Sequence, residues 1–162
     1  MKQTSEGGDK QFLEMIRQNE GVIYKVASFY ADKEQPLGDL YQEVVLNLWK
    51  AFPSFRGESK YSTWIYRIAL NTCVSFYRRR KNISYVDISM DIPDTVENNE
   101  QIQELYRLIG RLGKIERALV LLYLDDKSYK EIAEITDLSV TNVATKLSRI
   151  KDKLKKMSNE SN

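Results

Sequence analysis

The sequence predicts an all-α protein with two small helical domains that a flexible acidic linker joins. Apolar residues recur at helical spacing on both sides of residues 82–99, which themselves show neither a sustained helical nor a strand period. Acidic residues gather within that stretch, whereas basic residues gather before and after it. A chain of 162 residues is long enough for two small domains, so we expect each flank to fold as a helical unit.

The first domain is predicted to span residues 10–81, after a polar, disordered tail over residues 1–9 that contains a Gly-Gly pair. Its apolar stripe begins at Phe12 and continues to Tyr30, with a break expected near Gly21. Two further helices with short connections follow, and three such helices favour a compact bundle with its own core.

The second helix of this domain is predicted to start with Asp39 as its N-cap and to stop at Pro53, which cannot continue a helix. The third is predicted to start with Ser62 or Thr63 as its N-cap and to run to Lys81. Its last turn carries four consecutive cations, which stabilise a helix C-terminus but also repel one another. Beside exposed rings and amides, such a cluster suits a surface that grips phosphates and stacks on unpaired bases.

The second domain is predicted over residues 100–157, with a tail over residues 158–162. A short helix over residues 129–135, a tight turn over residues 136–138 and a longer helix over residues 140–156 have the layout of a helix-turn-helix. Polar side chains near the start of the longer helix can reach base edges in a major groove. The alternative is an ordinary amphipathic helix with a solvated basic face. The N-caps expected for the two helices are Ser128 and Ser139.

Composition excludes several classes of function. The formal net charge is only +2, but two basic blocks separated by an acidic one favour two nucleic-acid-facing modules on a non-binding connector. With no histidine and Cys73 as the single cysteine, zinc sites and histidine-based catalysis are excluded, so we expect no metal, no cofactor and no catalytic residue. No apolar run is long enough to span a membrane and no signal-peptide core is present, so we expect a cytoplasmic location.

Three blocks of the sequence, in order, resemble the sigma-70 family of RNA polymerase sigma factors. Residues 39–49, Asp-Leu-Tyr-Gln-Glu-Val-Val-Leu-Asn-Leu-Trp, resemble the D-L-x-Q-E-x-x-L-x-L-W signature of region 2.2. Residues 55–71 resemble regions 2.3 and 2.4, and residues 128–149 resemble region 4.2. The length and the direct step from region 2 to region 4 point to the extracytoplasmic-function (ECF) group. The resemblance implies a sigma region 2 bundle over residues 10–81 and a sigma region 4 helix-turn-helix over residues 100–157.

The resemblance also implies a bacterial transcription initiation factor that binds core RNA polymerase, recognises −35 duplex and −10 promoter DNA, and promotes strand opening. It implies contacts with the β′ clamp helices and the β flap of the polymerase, and regulation by an anti-sigma factor. A solvated acidic helix face is the alternative for region 2.2, but it does not explain Trp49, because large exposed aromatics usually mark contact surfaces. The polymerase-binding residues implied are Asp39, Gln42, Glu43, Asn47 and Trp49.

By the same resemblance, the loop over residues 57–63 and the start of the third helix hold a base captured from the −10 element. Unstacking a base is unfavourable, and stacking and hydrogen bonds in the protein offset it. The alternative is that Trp64 belongs to the core and that the basic run is merely solvated. The −10 residues implied are Lys60, Tyr61, Ser62, Thr63, Trp64, Tyr66, Arg67, Asn71, Arg78, Arg79, Arg80 and Lys81. The −35 residues implied are Ser139, Thr141, Asn142, Thr145, Lys146, Ser148, Arg149 and Lys151.

Three positions depart from the family pattern. Asp137 stands where the family often has glycine in the turn, and Asp can adopt the left-handed conformation there at some cost. Ala144 stands where Lys or Arg is frequent, so its polar neighbours must read the bases, and Gly113 stands where Pro is frequent. The acidic linker resembles family linkers that thread through the polymerase active-site cleft, although a merely soluble tether also fits its composition.

Two other functions fit parts of the sequence. A stand-alone helix-turn-helix regulator with an N-terminal sensing or dimerisation bundle explains the second domain, but it leaves residues 39–49 and the aromatic loop unexplained. A nuclease that uses Asp or Glu with a metal needs clustered carboxylates at metal-ligand spacing, and the sequence has none. Binding to core polymerase separates a sigma factor from the regulator, because a repressor selects its site without polymerase.

Overall fold

The computed structural model describes residues 2–81 and 100–160, with side chains over residues 7–76 and 100–160. The described residues form α-helices, one short 3₁₀ helix and no strand, which confirms the all-α prediction. The linker predicted over residues 82–99 lies outside them. The helices are α1 (Lys2–Gln18), α2 (Glu20–Tyr30), α3 (Leu37–Ala51), the 3₁₀ helix (Phe52–Ser54), α4 (Tyr61–Lys81), α5 (Glu100–Gly110), α6 (Lys114–Leu124), α7 (Tyr129–Thr136) and α8 (Val140–Glu160).

Helices α2, α3 and α4 form the core of the N-terminal half. Their apolar stripes meet at residues that are at most 1% exposed, and full burial of one such side chain contributes about 1.5–3 kcal/mol. Cys73 belongs to this core, where burial raises the pKa of its thiol to about 12 and keeps it protonated. The core residues are Ile23, Val26, Ala27, Leu40, Val44, Leu48, Ile65, Tyr66, Ala69 and Cys73.

The expected disordered tail over residues 1–9 is wrong for its described part, because α1 begins at Lys2. Once the buried turn at Phe12 is formed, extending the helix towards the N-terminus needs no new nucleation. The break between α1 and α2 falls at Asn19 and not at Gly21. The side-chain amide of Asn19 donates to the carbonyl of Met15 at 2.8 Å and so ends α1 locally.

Helices α3 and α4 also begin earlier than their predicted caps. The backbone N–H of Leu40 donates to the carbonyl of Pro36 at 3.2 Å, so Asp39 lies inside the first turn of α3. A carboxylate there is still stabilised by the helix dipole. The N–H of Trp64 donates to the carbonyl of Lys60 at 3.1 Å in the same way. Ser62 and Thr63 are therefore residues of the first turn of α4, not N-caps.

The helix-turn-helix of the C-terminal half follows the prediction closely. The Ser128 hydroxyl accepts from the N–H of Glu131 at 3.1 Å, and the Ser139 hydroxyl accepts from the N–H of Asn142 at 3.1 Å. Asp137 lies between the two helices with φ of 60°, the left-handed conformation expected for the turn. These local bonds give α7 and α8 the predicted caps.

The core of this half and the end of α8 show two further features. Arg117 is only 1% exposed, and its guanidinium donates to the carbonyls of Gly110 and Leu112, which ties α6 to the end of α5. Helix α8 continues to Glu160, beyond the helix end predicted at residue 156 and into the segment predicted as a tail. Met157 is 8% exposed and extends the apolar stripe beyond the predicted end of the helix.

The two halves pack against each other through α2 and α4 on one side and α5, α6 and α7 on the other. The Tyr30 hydroxyl donates to the carbonyl of Lys114 at 2.7 Å, and the rings of Phe29 and Tyr106 meet edge to face with centroids 5.8 Å apart. Within the described ranges, no helix is long and apolar enough to cross a membrane.

Candidate functional site

A cavity of about 400 Å³ opens where the loop after the 3₁₀ helix meets the start of α4. Gly57 in that loop has φ of +74°, a conformation that L side chains rarely adopt, so the turn favours glycine. The cavity carries charges of both signs and aromatic surface, which suits a ligand with a planar apolar face and a polar edge. Its lining residues are Ser54, Phe55, Arg56, Glu58, Ser59, Thr63, Trp64, Arg67 and Glu134.

Aromatic contacts hold Trp64 at the edge of this cavity. Its ring centroid lies 5.0 Å from that of Phe55 and 6.3 Å from that of Phe52, and Phe55 stacks on Tyr61 at 4.8 Å. Each such pair contributes about 0.5–1.5 kcal/mol beyond burial alone. Trp64 is half-buried, so it is neither a complete core residue nor a free surface ring.

A second surface lies on α3. Asp39, Gln42 and Trp49 are exposed, with Trp49 45% exposed although its ring packs edge to face against Phe12 at 5.0 Å. Leu46 is 44% exposed and shares the face of Trp49, since the two are three residues apart. An exposed indole and leucine among acidic and amide side chains fit a protein-binding surface.

A third surface is the N-terminal half of α8, which carries polar and basic side chains. Thr141, Asn142, Thr145, Ser148 and Arg149 are exposed, and Lys146 is partly exposed. The exposed Lys151 ammonium lies 4.4 Å from the ring centroid of Tyr123 on α6. This arrangement, a polar basic helix start on a helix-turn-helix, fits docking into a DNA groove.

Family models match both halves of the chain: "Sigma-70 region 2" over residues 15–83 and "Sigma-70, region 4" over residues 102–154. The chain belongs to the sigma-70 family. The ECF RNA polymerase sigma-E factor of Escherichia coli K12 is 29% identical over 171 residues, which cover 94% of this chain and 88% of the relative. The sigma-E factor of Haemophilus influenzae is 26% identical over 170 residues, covering 94% and 89%. These relatives place the sigma factor in the ECF group.

Two solved structures share the fold of this sigma factor. The sigma factor RpoE from Bartonella quintana, in complex with the anti-sigma factor NepR, aligns with a TM-score of 0.77 at 19% identity, covering 93% of this chain and 98% of that one. CnrH, in complex with the cytosolic domain of CnrY, aligns with a TM-score of 0.71 at 19% identity, covering 99% and 95%.

The residues assigned to the −10 element by resemblance fall into several groups in this sigma factor. Thr63, Trp64 and Arg67 line the cavity, and the exposed Asn71 lies farther along α4. Lys60 and Tyr61 are exposed and Ser62 partly exposed, but none of them lines it. Arg78, Arg79, Arg80 and Lys81 belong to the last turns of α4, and their side chains lie outside the description.

Two sequence-predicted site residues are more enclosed than expected. Tyr66, which the resemblance assigns to the −10 surface, is fully buried, and its hydroxyl donates to Asp125 in the other half of the sigma factor. Asn47, which the resemblance assigns to the polymerase-binding face of α3, is half-buried, and its amide donates to the hydroxyl of Thr72 on α4 at 2.9 Å. Glu43, from the same predicted set, is partly exposed.

Several cavity residues were missing from the predicted set. Ser54, Phe55 and Arg56 precede the loop over residues 57–63 to which the resemblance assigns base capture, and the aromatic and small polar residues of this stretch were a usable signal. Glu58 and Ser59 lie within that loop but were not named as site residues. Glu134 comes from α7, and nothing in its local sequence indicates that it lies beside this loop.

Proposed function

We propose that this ECF sigma factor binds core RNA polymerase through the exposed face of α3, captures a −10 base in the cavity at the start of α4, and binds −35 duplex with α8. It acts by binding alone and catalyses no reaction. One observation supports this above all: a half-buried tryptophan and an arginine line a cavity at the loop that the family resemblance assigns to the −10 element.

Base capture follows from the chemistry of that cavity. A base in duplex DNA is stacked and hides its Watson–Crick edge, so reading it requires extrusion at a cost of a few kcal/mol. Stacking on an aromatic ring returns about 1–3 kcal/mol per base. Trp64 offers such a ring, and the guanidinium of Arg67 and the hydroxyl of Thr63 offer hydrogen bonds. Together they offset the unstacking.

Readout of the −35 element is proposed for the exposed polar side chains of α8. Asn142 and Arg149 are types that form bidentate hydrogen bonds with adenine and guanine, respectively, and Thr145 and Ser148 can donate or accept. Ala144 cannot hydrogen-bond, so specificity depends on these four neighbours. Ser139 already accepts a backbone N–H as the N-cap, and its proposed DNA contact uses the remaining capacity of the hydroxyl.

The partners proposed are the β′ clamp helices and the β flap of core polymerase, promoter DNA, and an anti-sigma factor. The structural neighbours RpoE and CnrH were solved in complexes, RpoE with a protein named as an anti-sigma factor, and this supports a partner of the same kind here. Because transcription takes place on chromosomal DNA, we propose that the chain works in the cytoplasm of a bacterium.

Transcription in vitro tests the proposal. Core polymerase, with and without this chain, is given the promoter region upstream of the chain's own gene, since relatives often regulate themselves. We expect a transcript only with the chain present and a footprint over both promoter elements. A purified, folded chain that does not associate with core polymerase in gel filtration would refute the proposal.

A further inference from the structure

Helices α6 and α7 of the C-terminal half cover part of the proposed −10 surface. Glu134 on α7 forms one wall of the cavity that Trp64 and Arg67 also line. The Arg67 guanidinium donates through Nη2 to the backbone carbonyl of Glu134. A base that bonded Arg67 through the N–H group now directed at Glu134 would have to displace that carbonyl.

The turn after α6 makes a second contact with α4. One carboxylate oxygen of Asp125 accepts from the Lys25 ammonium on α2, and the other accepts from the Tyr66 hydroxyl on α4. The Lys127 ammonium, from the same C-terminal turn as Asp125, lies 5.5 Å from the Tyr66 ring centroid across the interface. Asp125 therefore joins two N-terminal helices to one C-terminal turn, and its side chain is only 22% exposed.

This contact takes up donors on α4 that nucleic acid could otherwise bind. Tyr66 and Arg67 are neighbours in the helix that starts at the cavity, and both direct their polar groups to the C-terminal half. A carboxylate and a carbonyl present the same chemistry to them as phosphate and base oxygens do. The C-terminal half and −10 DNA are therefore competitors for one surface.

The closed arrangement leaves one donor unsatisfied, which favours its release. The Nε atom of Arg67 is shielded from solvent and has no hydrogen-bond partner among the described residues. A buried donor without a partner destabilises the arrangement that buries it. A ligand that bonded every N–H of the Arg67 guanidinium would gain the free energy of the Nε hydrogen bond, which the closed arrangement lacks.

We propose that this sigma factor closes its own −10 surface with helices α6 and α7, and that Asp125 is the latch. Closure lowers the fraction of molecules competent to bind −10 DNA, and apparent affinity falls by that fraction. Breaking the Asp125 contacts, by polymerase binding or by mutation, restores the apparent affinity for −10 DNA. The inference rests on the proposed role of the cavity in −10 recognition.

The test compares Asp125→Asn with Asp126→Asn. The first removes the charge that Lys25 and Tyr66 bind; the second makes the same change at an exposed neighbour. Asp126 has φ of 58°, which Asn also tolerates, so the control should fold normally. Small-angle X-ray scattering reports the radius of gyration. Anisotropy reports binding of the labelled non-template −10 strand of the promoter that the footprint defines.

We expect Asp125→Asn to enlarge the radius of gyration and to bind the oligonucleotide about fivefold tighter or more. Asp126→Asn should match the wild type in both. An unchanged radius, or an enlarged radius with unchanged oligonucleotide binding, would overturn the latch. If Asp125→Asn loses helix content by circular dichroism, Lys25→Gln replaces it as the test, because it removes the other charge of the ion pair. Its radius of gyration and oligonucleotide binding are expected to change in the same directions.

The two proposals fail in different measurements. Scattering needs neither polymerase nor promoter, so an unchanged radius refutes the latch while transcription by the wild type stands. If Asp125→Asn enlarges the radius of gyration but the wild type never supports transcription, the proposed function is refuted instead.

Discussion

Removing the indole ring of Trp64 is the most direct test of base capture. The ring contacts Phe52 and Phe55, and two aromatic pairs at about 0.5–1.5 kcal/mol each imply a loss of roughly 1–3 kcal/mol in the free energy of unfolding. A stacked base gains about 1–3 kcal/mol, and about 1.4 kcal/mol is a factor of ten. Trp64→Ala should therefore weaken binding of single-stranded −10 DNA by roughly 5- to 150-fold.

The assay separates DNA opening from binding to polymerase. Permanganate reactivity of unpaired thymines follows the open complex, and anisotropy of the labelled chain follows its association with core polymerase. Trp64→Ala should reduce the first and retain the second. Trp49→Ala is the matched control, because it removes the other tryptophan of the chain, on the exposed face of α3, and should do the opposite. Equal loss of both readouts in Trp64→Ala would show that the ring only supports the bundle.

Three further outcomes are expected. Arg149→Ala should weaken −35-dependent binding by about 1–3 kcal/mol, and an unchanged footprint over that element would remove Arg149 from the readout set. Asp137→Gly should raise the free energy of unfolding by about 1 kcal/mol in urea titrations, since glycine adopts φ of 60° without Cβ strain; a decrease would show that the Asp side chain stabilises the turn. Burial raises the pKa of Asp125, but hydrogen bonds from Lys25 and Tyr66 outweigh it and lower that pKa overall. The ion pair therefore contributes fully above about pH 4 and is lost as pH falls through the lowered pKa. Scattering from neutral to acid pH should show opening in the wild type, and an Asp125→Asn variant that opens over the same acid range would contradict this assignment.

The helix-turn-helix could be predicted almost completely from the sequence. Ser128 and Ser139 cap the helices that follow them, and Asp137 adopts the left-handed turn, because each depends on residues three or four positions away. The starts of α3 and α4 were misplaced by a few residues. At these two positions the backbone carbonyls of Pro36 and Lys60 accept the first hydrogen bonds of the helices. The side-chain capping preferences of nearby residues do not predict where such backbone bonds begin.

The candidate site was predictable in part for the same reason. The loop before α4 is one contiguous stretch, so its aromatic and polar run already indicated where Trp64 and its neighbours would gather. The −10, −35 and polymerase assignments came from family resemblance and stay predictions until they are measured.

Apolar spacing, caps and motif letters act over short distances along the chain, so the sequence alone predicts the helix-turn-helix, the family and most of the helices, although not all of their ends. The packed helices were needed to show that Tyr66 is buried against Asp125, 59 residues away, and that Glu134 lines the cavity beside Arg67, 67 residues away. Such contacts depend on how whole helices pack, and no local pattern carries that information.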